Sequence, residues 1–450
     1  MNVLRHHARS IAVLATPLLV NNLGVGGMLS ADTIMAGRLG PDALAAVAVG
    51  ANYIGIFHFA AIGTLMALSP LVAHAFGAQR HHEIGGYMRQ GLWLAALLSV
   101  VLVLGLLAAR PVLLFIQVPP ATADLASRYV AAFALGVPAL CGFYALRFGS
   151  EGIGWTRPVM YTAVVGLVTN VALNWVLMYG HFGMPALGAV GTGYATAITW
   201  WVLFAILWVY VKRHRVYAPF APLQQREALH PTRFREIAKL GAPIAGSLVL
   251  EGGMFNAAAL LLASLGAAVI AAHAIAINYA ALMFMIPLSL NSATTIHVGH
   301  CLGAGDARGA RRAAFTGIGM GVCVMAISAL VMVVAREQIA ALYTGDQAVI
   351  ELAAMLLLYA AVFQIADGVQ VCTAGALRGY KDTRIPMIVN LLAYWGIGFP
   401  LAWWFGVHLA RGAPGVWIGL IAGLFVASVL LVWRLVAVTR SSRGSASRFP

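Results

Sequence analysis

Of the 14 acidic residues in the chain, three fall well inside long apolar stretches: Asp32, Glu251 and Asp367. A charge at the centre of a bilayer costs at least about 2.5–3.5 kcal/mol on insertion scales, so each of these carboxylates requires a partner or a function. Glu251 lies just over three helical turns beyond Lys239, and Asp367 lies three turns before Arg378. At about 1.5 Å per residue both sit roughly 16–18 Å from the membrane boundary, near the midplane of a core about 30 Å thick. Asp32 stands less than two turns short of Arg38, which places it in the opposite half. No Lys or Arg stands at matching depth, so a simple internal ion pair is not expected. An acid without a fixed counter-cation is either protonated or waiting for a mobile cation.

Oxygen-bearing side chains accompany these acids. Asn170 and Asn174 lie one turn apart and share a helix face, and Thr192 opens the next apolar stretch. With Asp32 they would form an oxygen-rich cluster suited to a hard cation or a proton network. The competing account is that neutral carboxylates and amides glue helices together, with Asn278, Asn256 or Ser247 as partners. Asn or Ser would serve that purpose without the cost of ionisation, which favours functional use of the acids.

Other motifs carry less. His58, His74, His273, His297 and His300 lie in apolar stretches and are expected to be buried polar residues rather than ligands. The HHE at 81–83 lacks the HExxH spacing of a zinc site, and no GxxxxGK[ST] loop for ATP is present. Cys141, Cys301, Cys323 and Cys372 show no metal-ligand spacing and are expected as small core residues without a disulfide. No enzyme chemistry and no cofactor are expected.

The elements that must position the acids follow from composition. Only 9% of residues are charged and 61% are hydrophobic, against about a quarter charged in a soluble domain. Twelve apolar segments, at 11–37, 44–75, 89–116, 122–149, 158–180, 188–211, 236–264, 268–300, 312–335, 348–377, 385–408 and 414–438, each reach the ~20 residues of a crossing helix. The basic N-terminus followed by an apolar run is read as a retained first helix, not a cleaved signal. The expected fold is an all-α polytopic membrane protein with an N-lobe over 1–212, a linker over 213–232, a C-lobe over 233–440 and a tail over 441–450.

The net charge of +14 resides in short loops, not in basic runs interleaved with stacking aromatics, so no nucleic-acid partner is expected. Arg38, Arg110, Arg128, Arg336 and Arg411 fall in the odd-numbered loops; the other 23 of the 28 Lys and Arg lie in or near the termini and even-numbered loops. By the positive-inside rule both termini and the linker are cytoplasmic.

The chain also repeats. Laid over itself so that Pro17 meets Pro243, it brings Val25-Gly-Gly-Met28 onto Glu251-Gly-Gly-Met254 and Asn52–Tyr53 onto Asn278–Tyr279, with 17 identities in 62 ungapped positions. With the shift grown by one, Thr156–Arg157 matches Thr383–Arg384. A shift of six helices keeps orientation, so the two lobes are expected to be related by a pseudo-twofold along the membrane normal, with a site between them. The acids do not follow the repeat: Val25 stands opposite Glu251, and Ala258 opposite Asp32.

The stretches ADTIMAGRLGPDALAAVAVG, GAPIAGSLVLEGG, NYAALMFMIPLSLNSATTIHVGHCLGAGD and QIADGVQVCTAGALRGYKDTRIPMIVN resemble the multidrug and toxic compound extrusion (MATE) family, in its NorM-like bacterial branch. The resemblance runs from Ile11 to about Val436. It implies a twelve-helix antiporter of the inner membrane, with two lobes forming a V-shaped cavity. Such a protein exports cationic or amphiphilic compounds in exchange for Na⁺ or H⁺. It also implies a C-lobe cation site, Na⁺ being the candidate metal, at Glu251 and Asp367, and an N-lobe site at Asp32, Asn170, Asn174 and Thr192. Some relatives place Tyr one turn before the late Asp, where this chain has Phe363; that removes a possible hydroxyl ligand. A monomer in the bilayer is expected. The alternative is a flippase for lipid-linked precursors, whose anionic substrate would need Arg or Lys inside the cavity.

Overall fold

The computed structural model describes residues 2–224, 227–263 and 265–446. Among these there is no strand. The first half contains α1 (Asn2–Gly37), α2 (Pro41–Leu65), α3 (Leu68–Gly77), α4 (His81–Leu107), α5 (Ala109–Phe115), α6 (Pro120–Ala134), α7 (Val137–Gly152), α8 (Arg157–Tyr179) and α9 (Ala189–Arg213). The second contains α10 (Pro231–Ala263), α11 (Ala267–Gly303), α12 (Ala307–Ala341), α13 (Gln347–Gly379), α14 (Arg384–Asn390), α15 (Phe399–Trp403) and α16 (Gly412–Ala446). Wide π-helical turns over Leu391–Gly398 and Trp404–His408 join α14 and α15 into one span. Eleven helices are long and apolar enough to cross a membrane, and α6 with α7, bent by 49°, makes the twelfth. Of the expected tail over 441–450, α16 continues to 446, and 447–450 lie outside the described residues.

The irregularities sit where proline removes a backbone donor. Pro17, Pro243 and Pro287 lie inside α1, α10 and α11. Pro138 opens α7 just after the 49° bend, Pro70 falls in the first turn of α3, and Pro400 opens α15 after the first π segment. A further kink, in α12 at Ala335 (φ −107°, ψ 20°), has no proline beside it.

The repeat is legible in the backbone. Three hairpin turns of the first half take positive φ, at Gly40 (121°), Gln79 (56°) and Gly154 (78°). Their counterparts at the repeat interval, or one position beyond it, are Gly266 (115°), Gly305 (78°) and Lys381 (60°). Two of these six positions hold a residue other than glycine in a region that disfavours a Cβ. The turn geometry has therefore outlived the glycine that favours it.

By packing, the chain divides into two compact units, Pro17–Ala245 and Met1–Thr16 with Gly246–Pro450. One core belongs to the first, with Trp200, Tyr144, Phe143, Phe148 and Leu68 fully buried in it. The second unit has its own core around Trp417, Leu356, Leu357 and Met332. The first turns of α1 belong to it as well: Ile11 and Ala15 pack with Leu290 and Ala293 of α11 and Val371 of α13.

Two expectations are corrected here. The fourth span does not stop at 149; α7 runs to Gly152, which draws Arg147 and Glu151 inside. They form an i,i+4 ion pair of 2.6 Å between groups 9% and 1% exposed. With its amide turned to satisfy both partners, Asn21 Oδ1 accepts from Arg147 Nη1 at 2.8 Å and Nη2 at 3.1 Å. An internal ion pair and a fourth buried acid therefore exist. Likewise α13 extends past 377, so Arg378 belongs to its last turn; its guanidinium donates to Asn291 Oδ1 (3.2 Å) and its charge acts on Glu251.

Removing one partner of a buried pair leaves an uncompensated charge at a cost of about 3–5 kcal/mol. Arg147→Ala is therefore expected to lower the melting temperature of the detergent-solubilised protein, and Arg147→Ala/Glu151→Ala to recover part of the loss. An unchanged melting curve for the single variant would show that the pair does not hold this unit together.

Candidate cation sites

The first site is built by α1, α8 and α9. Gly24 lets α1 approach α8 closely, since a Cβ there would lie 2.9 Å from that of Ala163. Asp32, 3% exposed, is thereby brought onto the amides of α8. Asn174 Nδ2 donates to Asp32 Oδ1 at 2.6 Å and to Asn170 Oδ1 at 3.2 Å. The Thr196 hydroxyl donates to Asp32 Oδ2 at 3.1 Å and accepts from Asn170 Nδ2 at 3.2 Å.

Asp32, Asn170 and Asn174 thus come together as their spacing predicts, but Thr192 does not touch the carboxylate. Thr196, one turn later on α9, takes that place. The Thr192 hydroxyl and Asn174 Oδ1 are buried oxygens with no hydrogen-bond partner. Such groups are costly unless a water or cation meets them. Thr196 was within reach of sequence reasoning, because a polar residue four positions from Thr192 lies on the same helix face.

The second site lies in the other unit. Glu251 of α10 and Asp367 of α13 line one cavity of about 250 Å³, together with Phe255, Ile277, Ala280, Ala281, Phe284 and Phe363. Neither carboxylate has a hydrogen-bond partner among the described residues. Of the suggested glue residues, Asn278 is engaged by the Tyr343 hydroxyl at 3.0 Å instead. The walls are aromatic: Phe363 packs edge-on against Phe255 and Trp417, with centroids 5.9 Å apart in both pairs.

One participant escaped the sequence. Tyr394, 2% exposed in the first π segment, feels the charge of both Glu251 and Asp367, and its hydroxyl faces the Gln370 side chain without closing a full hydrogen bond to it. The segment is pinned to α10 beside the acid, since Trp395 Nε1 donates to the Leu250 carbonyl at 3.1 Å. Gly253 makes room for that ring: a Cβ there would come within 3.3 Å of it. The π turns rotate Tyr394 inward in a way that regular 3.6-residue periodicity does not foretell.

Chemically, the first site presents an acid already met by two donors, with two nearby oxygens unmatched. The second presents two acids, without hydrogen-bond partners among the described residues, against an apolar wall. Both can take a small cation, and the second can also face an organic one.

The MatE family model matches the chain twice, at 17–176 and 243–404. The two matches open on Pro17 and Pro243, the same pair that heads the internal repeat. The "Probable multidrug resistance protein NorM" of Xanthomonas axonopodis pv. citri (strain 306) is 40% identical over 435 residues, 96% of this chain and 94% of that protein. The "Multidrug resistance protein PmpM" of Pseudomonas aeruginosa is 39% identical over 97% of this chain and 93% of its own length. The crystal structure of the eukaryotic MATE transporter AtDTX14 superposes with a TM-score of 0.90 at 20% identity, covering 99% of this chain and all of that one. A double match at the repeat interval, relatives aligned almost end to end and a shared helical fold agree: the chain belongs to the MatE family of membrane transporters.

Proposed function

We propose that the protein is a multidrug efflux antiporter that carries cationic and amphiphilic organic compounds out across the bacterial inner membrane, with Na⁺ or H⁺ moving inward by alternating access. The observation that carries this reading is the cavity holding Glu251 and Asp367 with no hydrogen-bonded partner for either acid among the described residues. A cavity with two acids, no base in its lining and aromatic walls suits a hydrophobic cation, through charge and ring contacts together. It does not suit the anionic head of a lipid-linked precursor. The names of the relatives, multidrug resistance proteins, point the same way.

Antiport requires only that the coupling ion and the organic cation bind the two conformations with different affinities. Here they would compete for one negative region. Glu251 and Asp367 hold Na⁺ or H⁺, with Tyr394 as an added oxygen ligand. Arg378 keeps Glu251 under a fixed positive influence, so one of the two acids is already partly compensated before any ion arrives. Asp32 with Asn170, Asn174, Thr196 and Thr192 forms the second cation or proton site. The termini and the 213–232 linker face the cytoplasm, and the functional unit is the monomer.

Purified protein in liposomes, loaded with ethidium and driven separately by a Na⁺ gradient and a pH gradient, tests the reading. Dye movement under one or both gradients is expected, and the gradient that suffices identifies the ion. Asp367→Asn and Glu251→Gln preserve size and should each slow transport by roughly tenfold or more, the equivalent of about 1.4 kcal/mol. Wild-type rates in both variants, or no dye movement under either gradient, would remove the C-lobe role. Tyr394→Phe should raise the half-saturating ion concentration about fivefold, as loss of a single ligand of about 1 kcal/mol would, while the rate at saturating ion stays near wild type. An unchanged half-saturation would exclude the hydroxyl from the site.

A further inference from the structure

Outside the transport sites, the start of α1 and the end of α11 bring three metal-ligating side chains together within one packed unit. His297 and Cys301 lie one turn apart on α11 and share a face. His7, 6% exposed, meets them from α1. His7 Nδ1 lies 2.9 Å from His297 Nε2, and one donor atom from each of the three residues falls within 4.8 Å of the others. Ile11 and Ala15, one and two turns along α1, pack against Leu290 and Ala293 of α11, so the approach is held by buried contacts. This is the one such group among the described residues.

A hydrogen bond between two neutral imidazoles explains the ring contact but gives no place to the thiol. The repeat shows that the pair on α11 was not inherited with the fold: the positions equivalent to His297 and Cys301 in the first half are Leu71 and Ala75. Around a tetrahedral Zn²⁺ with ligands at about 2.0–2.3 Å, donor atoms stand about 3.3–3.7 Å apart. Side-chain movements of about 1 Å from the observed spacing reach that geometry.

We propose that His7, His297 and Cys301 form a site for a borderline-soft divalent cation, Zn²⁺ foremost, with water in the fourth position. On binding, the Cys301 thiol releases its proton and coordinates as thiolate. Whichever of the facing nitrogens, His7 Nδ1 or His297 Nε2, carries the shared hydrogen, that ring moves it to its other nitrogen, so that both imidazoles bind neutral; one proton leaves per metal bound. Asp306 of the α11–α12 turn acts on both His7 and Cys301 and offsets the metal charge, while Arg312 of α12 opposes it at His7. Three protein ligands and an open fourth position describe an exchangeable site rather than a closed structural one. Occupied, it would tie the first turns of α1 to α11.

Tag-free protein in detergent, titrated with Co²⁺ and then Zn²⁺, tests the site. One Co²⁺ per chain is expected, with the near-ultraviolet thiolate-to-metal band and its loss on displacement by Zn²⁺. Zn²⁺ should also protect one thiol from maleimide and raise the melting temperature. Cys301→Ser should abolish the thiolate band, and His7→Gln and His297→Gln should each weaken binding by roughly tenfold or more. Replacing Cys141, Cys323 and Cys372 together by Ser should leave the band in place. Dye efflux by Cys301→Ser at the wild-type rate would confirm that the variant is folded. Absence of stoichiometric binding, or binding that survives in His7→Gln/Cys301→Ser, overturns the proposal.

Discussion

The constraint on which the rest of the structure depends is the cost of a carboxylate in a medium that cannot solvate it. The protein meets it in three ways. Glu151 has a fixed cation, the Arg147 guanidinium at 2.6 Å, itself held by Asn21. Asp32 has neutral donors, Asn174 and Thr196, that occupy one carboxylate oxygen each. Glu251 and Asp367 have no hydrogen-bonded partner among the described residues, only a cavity, each other's charge and the charge of Arg378 acting on Glu251. The three arrangements form a series from fully compensated to least compensated. A group whose charge is already matched has little to offer a mobile ion, so the series also orders the acids by their fitness for transport.

The duplicated backbone makes this series possible without a change of fold. Hairpin turns recur at the repeat interval, down to the positive φ angles of Gln79 and Gly305 or of Gly154 and Lys381. The helix-interior prolines Pro17 and Pro243 recur with them. The side chains that carry charge do not, as Val25 opposite Glu251 and Ala258 opposite Asp32 show. Backbone geometry in a membrane is constrained by the need to satisfy every N–H and C=O internally, and this protects turns and prolines. Side chains facing an internal cavity are under no such rule, and the two halves have diverged there.

That distinction also explains what the sequence could disclose. Spans, their number and the repeat are legible because hydrophobic length and proline act locally, and Asp32, Asn170 and Asn174 are legible as one cluster because i,i+4 spacing fixes a helix face. Thr192 stands in for Thr196 in that reading because the two share a helix face, and which turn of α9 lies level with Asp32 is set by packing, not by its own sequence. Arg147 and Glu151 read as boundary residues because a charge near a span's end looks like an exit to water, whereas here the helix carries the pair inward. Tyr394 is invisible for another reason. The π turns of 391–398 break the periodicity that any face assignment assumes.

Tyr394 in turn bears on how the site tells one ion from another. A bare pair of acids takes a proton readily and holds Na⁺ poorly, because Na⁺ requires several oxygens around it where a proton requires one. Phe363 and the aliphatic lining supply none. On the proposed reading the Tyr394 hydroxyl adds one oxygen from the π segment, which is tied to α10 through Trp395 and Leu250. Ion preference in this protein would then be set by the π segment's hold on α10 more than by the identity of the acids themselves. On that reading, any motion that straightens those turns would withdraw the ligand and give release of the ion a structural cause.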